Sequence, residues 1–312
     1  MLRRLFSRKS FAPSPLRPGL VTAGKGSDPD DSPVLHVRAD GHLVRAVTHG
    51  RGPRFGPTIV FLHEGLGSIA QWKHYPDTLA RVAGCNALVY ERWGHGGSDP
   101  LMGKRKPDFM EREADHALPD LLASFGLDKF ILYGHSDGGS IALLFAARYP
   151  ERTLGVVTEA AHVFVEEESI SGVEAAVARF ETSDMEKRLS LYHGDNTERM
   201  FRGWADIWLS AKFRDWSIPP ETLGKIEAPV LALQGADDEY GTPEQLSRIE
   251  AGLGDKVRTL LIPDCAHVPH VQARETVMEA VLDFIACVKS DEQEREEENA
   301  ESGELPPPEA EI

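Results

Sequence analysis

The sequence predicts an α/β protein: a doubly wound, mostly parallel sheet interrupted once by an all-helical insertion. Three observations predict it. Short apolar, β-branched runs alternate with helical stretches from about residue 33 to residue 289. Between Glu166 and Glu221 that alternation stops, and helical patterns follow one another with no strand between them. The stretch Tyr133-Gly134-His135-Ser136-Asp137-Gly138-Gly139 joins an apolar run to an alanine- and leucine-rich one, the setting of a sharp strand-to-helix turn.

In chain order, residues 1–32 predict a disordered extension. Met1 to Phe11 is basic, hydroxylated and free of acids, and Pro13, Pro15 and Pro18 lead into a glycine and aspartate run. An organellar targeting leader is the competing reading; the absence of an apolar h-region argues against a secretory signal. Val34–Ala39 and His42–Val47, joined by Asp40-Gly41, predict a hairpin, because Asp-Gly supplies the positive φ angles of a two-residue turn. Thr58–Leu62, Ala87–Tyr90, Lys129–Tyr133, Leu154–Thr158, Pro229–Leu233 and Val257–Ile262 read as strands covered on both faces. Ser169–Phe180, Asp184–Tyr192 and Thr197–Phe213 read as the helices of the insertion, which would cap the carboxyl ends of the strands, where such sheets bind ligands. The expected organisation is a core of residues 33–165 and 222–289, a cap of 166–221, and a disordered acidic tail of 290–312, too rich in glutamate to bury a core.

Composition narrows the function. The chain has 312 residues, 41% of them hydrophobic, enough for one large core with an insertion. A formal net charge of -16 argues against nucleic-acid or anionic-membrane partners. No apolar run is long enough to span a bilayer. Cys85, Cys265 and Cys287 show neither metal-ligand nor redox spacing, which points to a reducing, cytoplasmic setting and excludes a disulfide framework. No zinc-type cluster, phosphate-binding Gly-rich loop or dinucleotide fingerprint occurs, so no metal and no cofactor is implied. The expected partner is a small-molecule substrate, and oligomeric state is not legible.

The chemistry centres on Gly134-His135-Ser136-Asp137-Gly138, a G-x-S-x-G pattern. Ser136 should sit on a strained turn with its hydroxyl above the sheet edge, and Gly134 and Gly138 leave room for that turn. A serine hydroxyl needs an imidazole to take its proton, and the imidazole needs a carboxylate to hold its tautomer. Two later loops, each after a predicted strand, offer both: Gln234-Gly235-Ala236-Asp237-Asp238-Glu239 and Pro263-Asp264-Cys265-Ala266-His267-Val268-Pro269-His270.

Together with Leu62-His63-Glu64-Gly65-Leu66-Gly67-Ser68 and Glu91-Arg92-Trp93-Gly94-His95-Gly96-Gly97-Ser98-Asp99, these motifs resemble the α/β-hydrolase fold enzymes from about Val34 to Lys289. The Ser136-Asp137-Gly138-Gly139 arrangement, followed by the helical cap, is similar to valacyclovir and biphenyl-type hydrolases. The resemblance implies Ser136 as nucleophile, Asp238 as acid and His267 as base, with Asp237, Glu239 and His270 as neighbouring rivals. It implies an oxyanion hole from the amides of Asp137 and Gly65, with Leu66 as the next choice. Glu64 departs from the family, which usually has His-Gly there. Arg92 and His95 are implied to hold their loop.

Candidate substrate contacts are Glu64, Asp137, Trp204 and Trp208. The Asp137 carboxylate, alone or with Glu64, would pair with a substrate ammonium, or else it serves the start of the following helix. The tryptophans would line the pocket or pack the cap, and His162 and His193 lie at the cap's edge. The expected activity is hydrolysis of a small carboxylic ester through an acyl-enzyme, with a preference for cationic amino esters if the ammonium contact holds. A carbon-carbon bond hydrolase on the same triad, or a ligand-binding protein with little turnover, are the alternatives.

Overall fold

Among the described residues nine strands, β1 (Thr22–Gly24), β2 (Val34–Ala39), β3 (His42–His49), β4 (Thr58–Leu62), β5 (Asn86–Tyr90), β6 (Phe130–His135), β7 (Thr153–Glu159), β8 (Val230–Gly235) and β9 (Val257–Ile262), build one sheet in the order β1-β2-β3-β5-β4-β6-β7-β8-β9. The structure is a computed structural model that describes residues 22–24, 33–52 and 55–302. Strands β1, β2 and β3 are antiparallel, β3 meets β5 antiparallel, and every later pairing is parallel. The hairpin turn has φ +45° at Asp40 and +80° at Gly41, as the Asp-Gly pair predicts.

Among the described residues eleven α-helices connect and cover the sheet: α1 (Tyr75–Ala83), α2 (Phe109–Arg112), α3 (Leu118–Ser124), α4 (Asp137–Arg148), α5 (Glu167–Thr182), α6 (Met185–His193), α7 (Thr197–Trp208), α8 (Pro220–Leu223), α9 (Glu244–Leu253), α10 (Pro269–Gln272) and α11 (Arg274–Ser302). Strands β4, β5, β6 and β8 are buried along their whole length, which is why they read as unbroken apolar runs. One face packs on α3, α4, α9 and the cap through Leu121, Phe145, Leu246 and Trp208. The other packs on α1 and α11 through Leu79, Val281 and Phe284.

Register decides where the site forms. Leu62 pairs with Gly134, His135 with Glu159, Glu159 with Leu233 and Gly235 with Ile262. The loops after β4, β6, β7, β8 and β9 therefore leave the sheet along one edge. Over that edge lie α5, α6 and α7, and the chain leaves and re-enters the cap at one place, where Phe164 bridges Ser217 and the Ile218 N–H donates to Val163 O at 2.7 Å.

Three expectations need correction. Helix α7 stops at Trp208 rather than Phe213; Phe213 instead lies in the following turn, fully buried, with its ring 5.1 Å from that of Trp208. The extension contributes an edge strand, β1, to the sheet, while the expectation for residues 1–21 and 25–32 lies outside the described residues. The acidic tail does not begin as disorder at 290: α11 runs on to Ser302, because glutamate is a good helix former even where it buries nothing. Residues 303–312 lie outside the described residues.

The distal part of α11 touches the body through a pair between the exposed Lys129 and the half-buried Glu292 at 2.5 Å. Ending the chain at Lys289 should therefore lower the unfolding free energy by less than about 1 kcal/mol. Phe284→Ala, which hollows the core under α11, should cost about 3–5 kcal/mol in the same urea titration. Equal losses would show that the distal turns are part of the cooperative unit.

Candidate active site

The sharp turn after β6 is built by what is missing from its glycines. A Cβ on Gly134 would lie 2.2 Å from Gly138 O, and one on Gly138 would lie 2.0 Å from Leu62 O, so neither position tolerates a side chain. Ser136 between them takes φ +53° and ψ -120°, a conformation rare for any residue with a Cβ. Its N–H donates to Glu159 O at 2.8 Å and its carbonyl accepts from Gly139 N–H at 2.8 Å, so both neighbours hold the strain in place.

His267 reaches the same site from the loop after β9. Its Nδ1–H donates to Asp238 Oδ1 at 2.8 Å, which fixes the tautomer and leaves Nε2 as the basic lone pair. Asp238 is held in turn by the Tyr240 N–H at 2.9 Å and by Gln234 Nε2 at 3.1 Å. Burial pushes the His267 pKa down, but the charge of Asp238 and its hydrogen bond outweigh that, and the net shift is upward. Asp238 shows the converse: burial pushes its pKa up, and His267 with the Tyr240 amide brings it below the usual value.

The rivals have other partners. Glu239 accepts the His267 backbone N–H at 3.3 Å, and the Asp237 N–H donates to Cys265 O at 2.9 Å. His270 Nδ1–H donates to Glu159 Oε2 at 2.6 Å, and the Tyr133 hydroxyl donates to the other oxygen of that buried carboxylate. Sequence reasoning had no access to the Glu159–His270 pair, because its two members are 111 residues apart.

A cavity of about 340 Å³ joins these parts. It is lined by Ser136, His267, Glu64, Gly65, Trp204 and Trp208, with Leu66, His162, Glu239 and His270 among the other walls. Trp204 and Trp208 thus line the pocket and pack the cap at once. A Cβ on Gly65 would lie 2.2 Å from Trp204 Nε1, so the cap rests directly on this loop. Glu64 stays half-buried, its pKa raised by burial, and its carboxylate accepts the Leu66 N–H. That bond commits the Leu66 amide and leaves Gly65 as the loop's candidate oxyanion donor.

The Asp137 contact with substrate is a further correction. Asp137 is 2% exposed and is not among the cavity walls; its Oδ1 accepts Trp208 Nε1–H at 3.2 Å and its Oδ2 lies 3.6 Å from the Arg92 guanidinium. Nor does a side chain cap α4. The carboxylate is consumed inside the protein: Arg92, itself 1% exposed, neutralises it while also donating to His63 O at 3.2 Å and Glu64 O at 2.9 Å.

Buried imidazoles support the loops. His63 accepts the Arg92 N–H at 3.0 Å, His95 Nε2 holds Gly65 O at 3.0 Å, and His193 Nε2 holds Leu66 O at 2.9 Å. His135 Nε2 holds the carbonyl of His267 at 2.7 Å, a positioning contact that the x of G-x-S-x-G conceals. His162 Nε2 holds Tyr240 O at 3.0 Å. Burial pushes all five well down or down from the ordinary value, His193 to about 4, so each is neutral near pH 7. His193, expected at the edge of the substrate site, is instead a loop support and is not among the cavity walls. Among the described residues no cluster of side chains could hold a metal ion, and no helix is long and apolar enough to cross a membrane.

Comparison with known proteins agrees with this architecture. Residues 57–183 match the α/β hydrolase fold family. The chain is 26% identical over 257 residues to the 2-hydroxy-6-oxo-6-phenylhexa-2,4-dienoate hydrolase of Burkholderia cepacia, covering 74% of this chain and 88% of that one. It is 26% identical to the human serine hydrolase BPHL over 238 residues, 74% of each chain. The crystal structure of a 2-hydroxy-6-oxo-6-phenylhexa-2,4-dienoate hydrolase from Rhodococcus sp. strain RHA1 superposes with a TM-score of 0.68 at 15% identity, over 80% of this chain and 98% of that one. The protein is a hydrolase of the α/β-hydrolase fold.

Two outcomes follow from the geometry. Arg92→Met strands the Asp137 carboxylate in the core and should cost about 3–5 kcal/mol in chemical denaturation, whereas the double variant Arg92→Met/Asp137→Leu should recover much of that loss. For any substrate turned over, the acid limb of kcat/KM should lie above pH 6.5, since His267 must be neutral to act and its pKa is raised. Asp238→Asn should move that limb to lower pH as well as reduce kcat.

Proposed function

We propose that the protein cleaves a small carboxylic ester through an acyl-enzyme formed on Ser136. The observation that carries this reading is the bare Nε2 of His267, presented by its bond to Asp238 in the cavity that Ser136 also lines. In this reading His267 takes the Ser136 proton as Oγ attacks the ester carbonyl. The tetrahedral oxyanion is held by the amides of Asp137 and Gly65, each worth about 3–4 kcal/mol. The Asp137 N–H begins α4 and so has no partner within the helix. The leaving alcohol departs with the proton from His267, and water then repeats the cycle on the acyl group.

The cavity's charge favours an ester over the carbon-carbon bond chemistry named for the Burkholderia cepacia relative, whose substrate is a dienoate anion. Among the described wall residues Lys73 is the one lysine and there is no arginine, while Glu64 and Glu239 are both carboxylates. An anionic acyl group would be repelled there, and a cationic one attracted. The amino-ester preference therefore rests on Glu64 and Glu239 rather than on Asp137.

A fluorophosphonate probe should label the wild type and not Ser136→Ala, with ester turnover falling roughly 10⁴- to 10⁶-fold in the variant. Labelling that survives the substitution overturns the assignment. An α-amino p-nitrophenyl ester should be hydrolysed faster than its N-acetyl twin, and Glu64→Gln should erase the difference; equal rates in the wild type would dismiss the ammonium contact. Faster turnover of a dienoate than of any neutral ester would favour the carbon-carbon reading.

A further inference from the structure

The outer side of the cap carries a second concavity, of about 610 Å³, between the loop 103–107 and the face of α7 opposite its tryptophans. Trp204 and Trp208 point from α7 into the catalytic cavity; Arg199, Arg202 and Asp206 lie on the other side of the same helix. The walls hold six cations, Lys104, Arg105, Lys106, Arg199, Arg202 and Lys212, against one carboxylate, Asp206. In a chain with 50 acidic and 34 basic side chains, a local excess of five positive charges among thirteen wall residues, or four once Glu181 beside Arg202 is counted, is opposite in sign to the rest of the molecule.

Most of this charge is uncommitted. Arg202 pairs with Glu181 at 2.8 Å, but among the described residues no carboxylate lies within ion-pair distance of Lys104, Lys106, Arg199 or Lys212. Arg105 is fixed at the inner end of the groove, donating to Trp93 O at 3.2 Å. Burial and then Arg92 push its pKa down to about 10, against the opposing pull of the Asp137 and Glu113 carboxylates. Gly203 lets α7 pack closely on Leu101, where a Cβ would lie 2.5 Å from the leucine side chain, and Pro107, Ile207 and Ala211 give the groove an apolar side. Cations held this close at neutral pH repel one another, and an anion between them relieves that repulsion.

We propose that this groove is a binding site for a phosphate-bearing small molecule, separate from the catalytic cavity. Two or more phosphate charges match the excess, the uncommitted Arg199 fork supplies paired donors, and the lysines add point charges. The apolar side suits an organic group attached to the phosphates. Because α7 forms one wall of the groove and one wall of the catalytic cavity, a ligand that ties it to the loop 103–107 fixes the tryptophans that face Ser136.

The test is calorimetric titration of the full chain with inorganic pyrophosphate and with ADP at constant ionic strength near about 0.1 M. Saturable binding that weakens with added salt is expected. The variant Lys104→Gln/Lys106→Gln/Arg199→Gln removes three exposed, unpaired side chains outside the catalytic machinery, and should fold normally while losing at least about tenfold in affinity. A charge-matched control on other surfaces, Arg81→Gln/Lys187→Gln/Lys225→Gln, should keep wild-type affinity. Tighter binding of ADP than of pyrophosphate would assign the apolar side to the organic group; equal binding would leave the phosphates as the whole ligand. Absence of saturable binding for both, or equal weakening in the two variants, overturns the proposal. This outcome does not depend on the catalytic reading, since no turnover is measured.

Discussion

The buried guanidinium of Arg92 is the contact on which the site's geometry depends. It gathers three separate pieces of chain: the carbonyls of His63 and Glu64 after β4, the carboxylate of Asp137 after β6, and through that carboxylate the indole of Trp208 on the cap. A buried ion pair of this kind adds little net stability, since desolvation cancels most of the attraction. What it supplies is position. The proposed oxyanion donors, Gly65 and Asp137, belong to two loops that share no backbone pairing beyond the strand ends, and Arg92 ties them to a common point.

The same contact explains which parts of the site were legible in the sequence. The turn at Ser136 could be read because its constraints are local: glycines two residues either side of the serine meet backbone atoms whatever the rest of the fold does. Asp238 and His267 could be read because parallel strands deliver their loops to one edge, so chain order becomes proximity. The fate of Asp137 could not. A carboxylate beside a nucleophile resembles a substrate contact until its partner is known, and no spacing rule connects it with an arginine 45 positions earlier. The acidic tail misled in another way. Composition measures what a segment can bury, while helix continuation past Lys289 depends on propensity and on an already formed helix to extend.

The cap does more than cover the cavity. Helix α7 sets one tryptophan against Gly65 and another on Asp137, four residues apart and therefore on one face. Its position is thus referred directly to the two loops proposed to hold the oxyanion. In the proposed mechanism, substrate shape, cap position and transition-state stabilisation are coupled through that single helix, and its outer face is where the unusual positive charge accumulates.

The five loop-supporting imidazoles carry a liability unconnected with turnover. Each is buried as a neutral ring, with a proton affinity pushed below its ordinary value, whereas the unfolded chain binds a proton at each near pH 6.5. As acidity increases below that point the unfolded state gains protons that the folded state refuses, each such ring removing about 1.4 kcal/mol per pH unit until its own folded-state value is reached. Five acting together should make the folded state lose stability as the pH falls below that point. The rings that keep the machinery in register also set the lower boundary of the environments in which it survives.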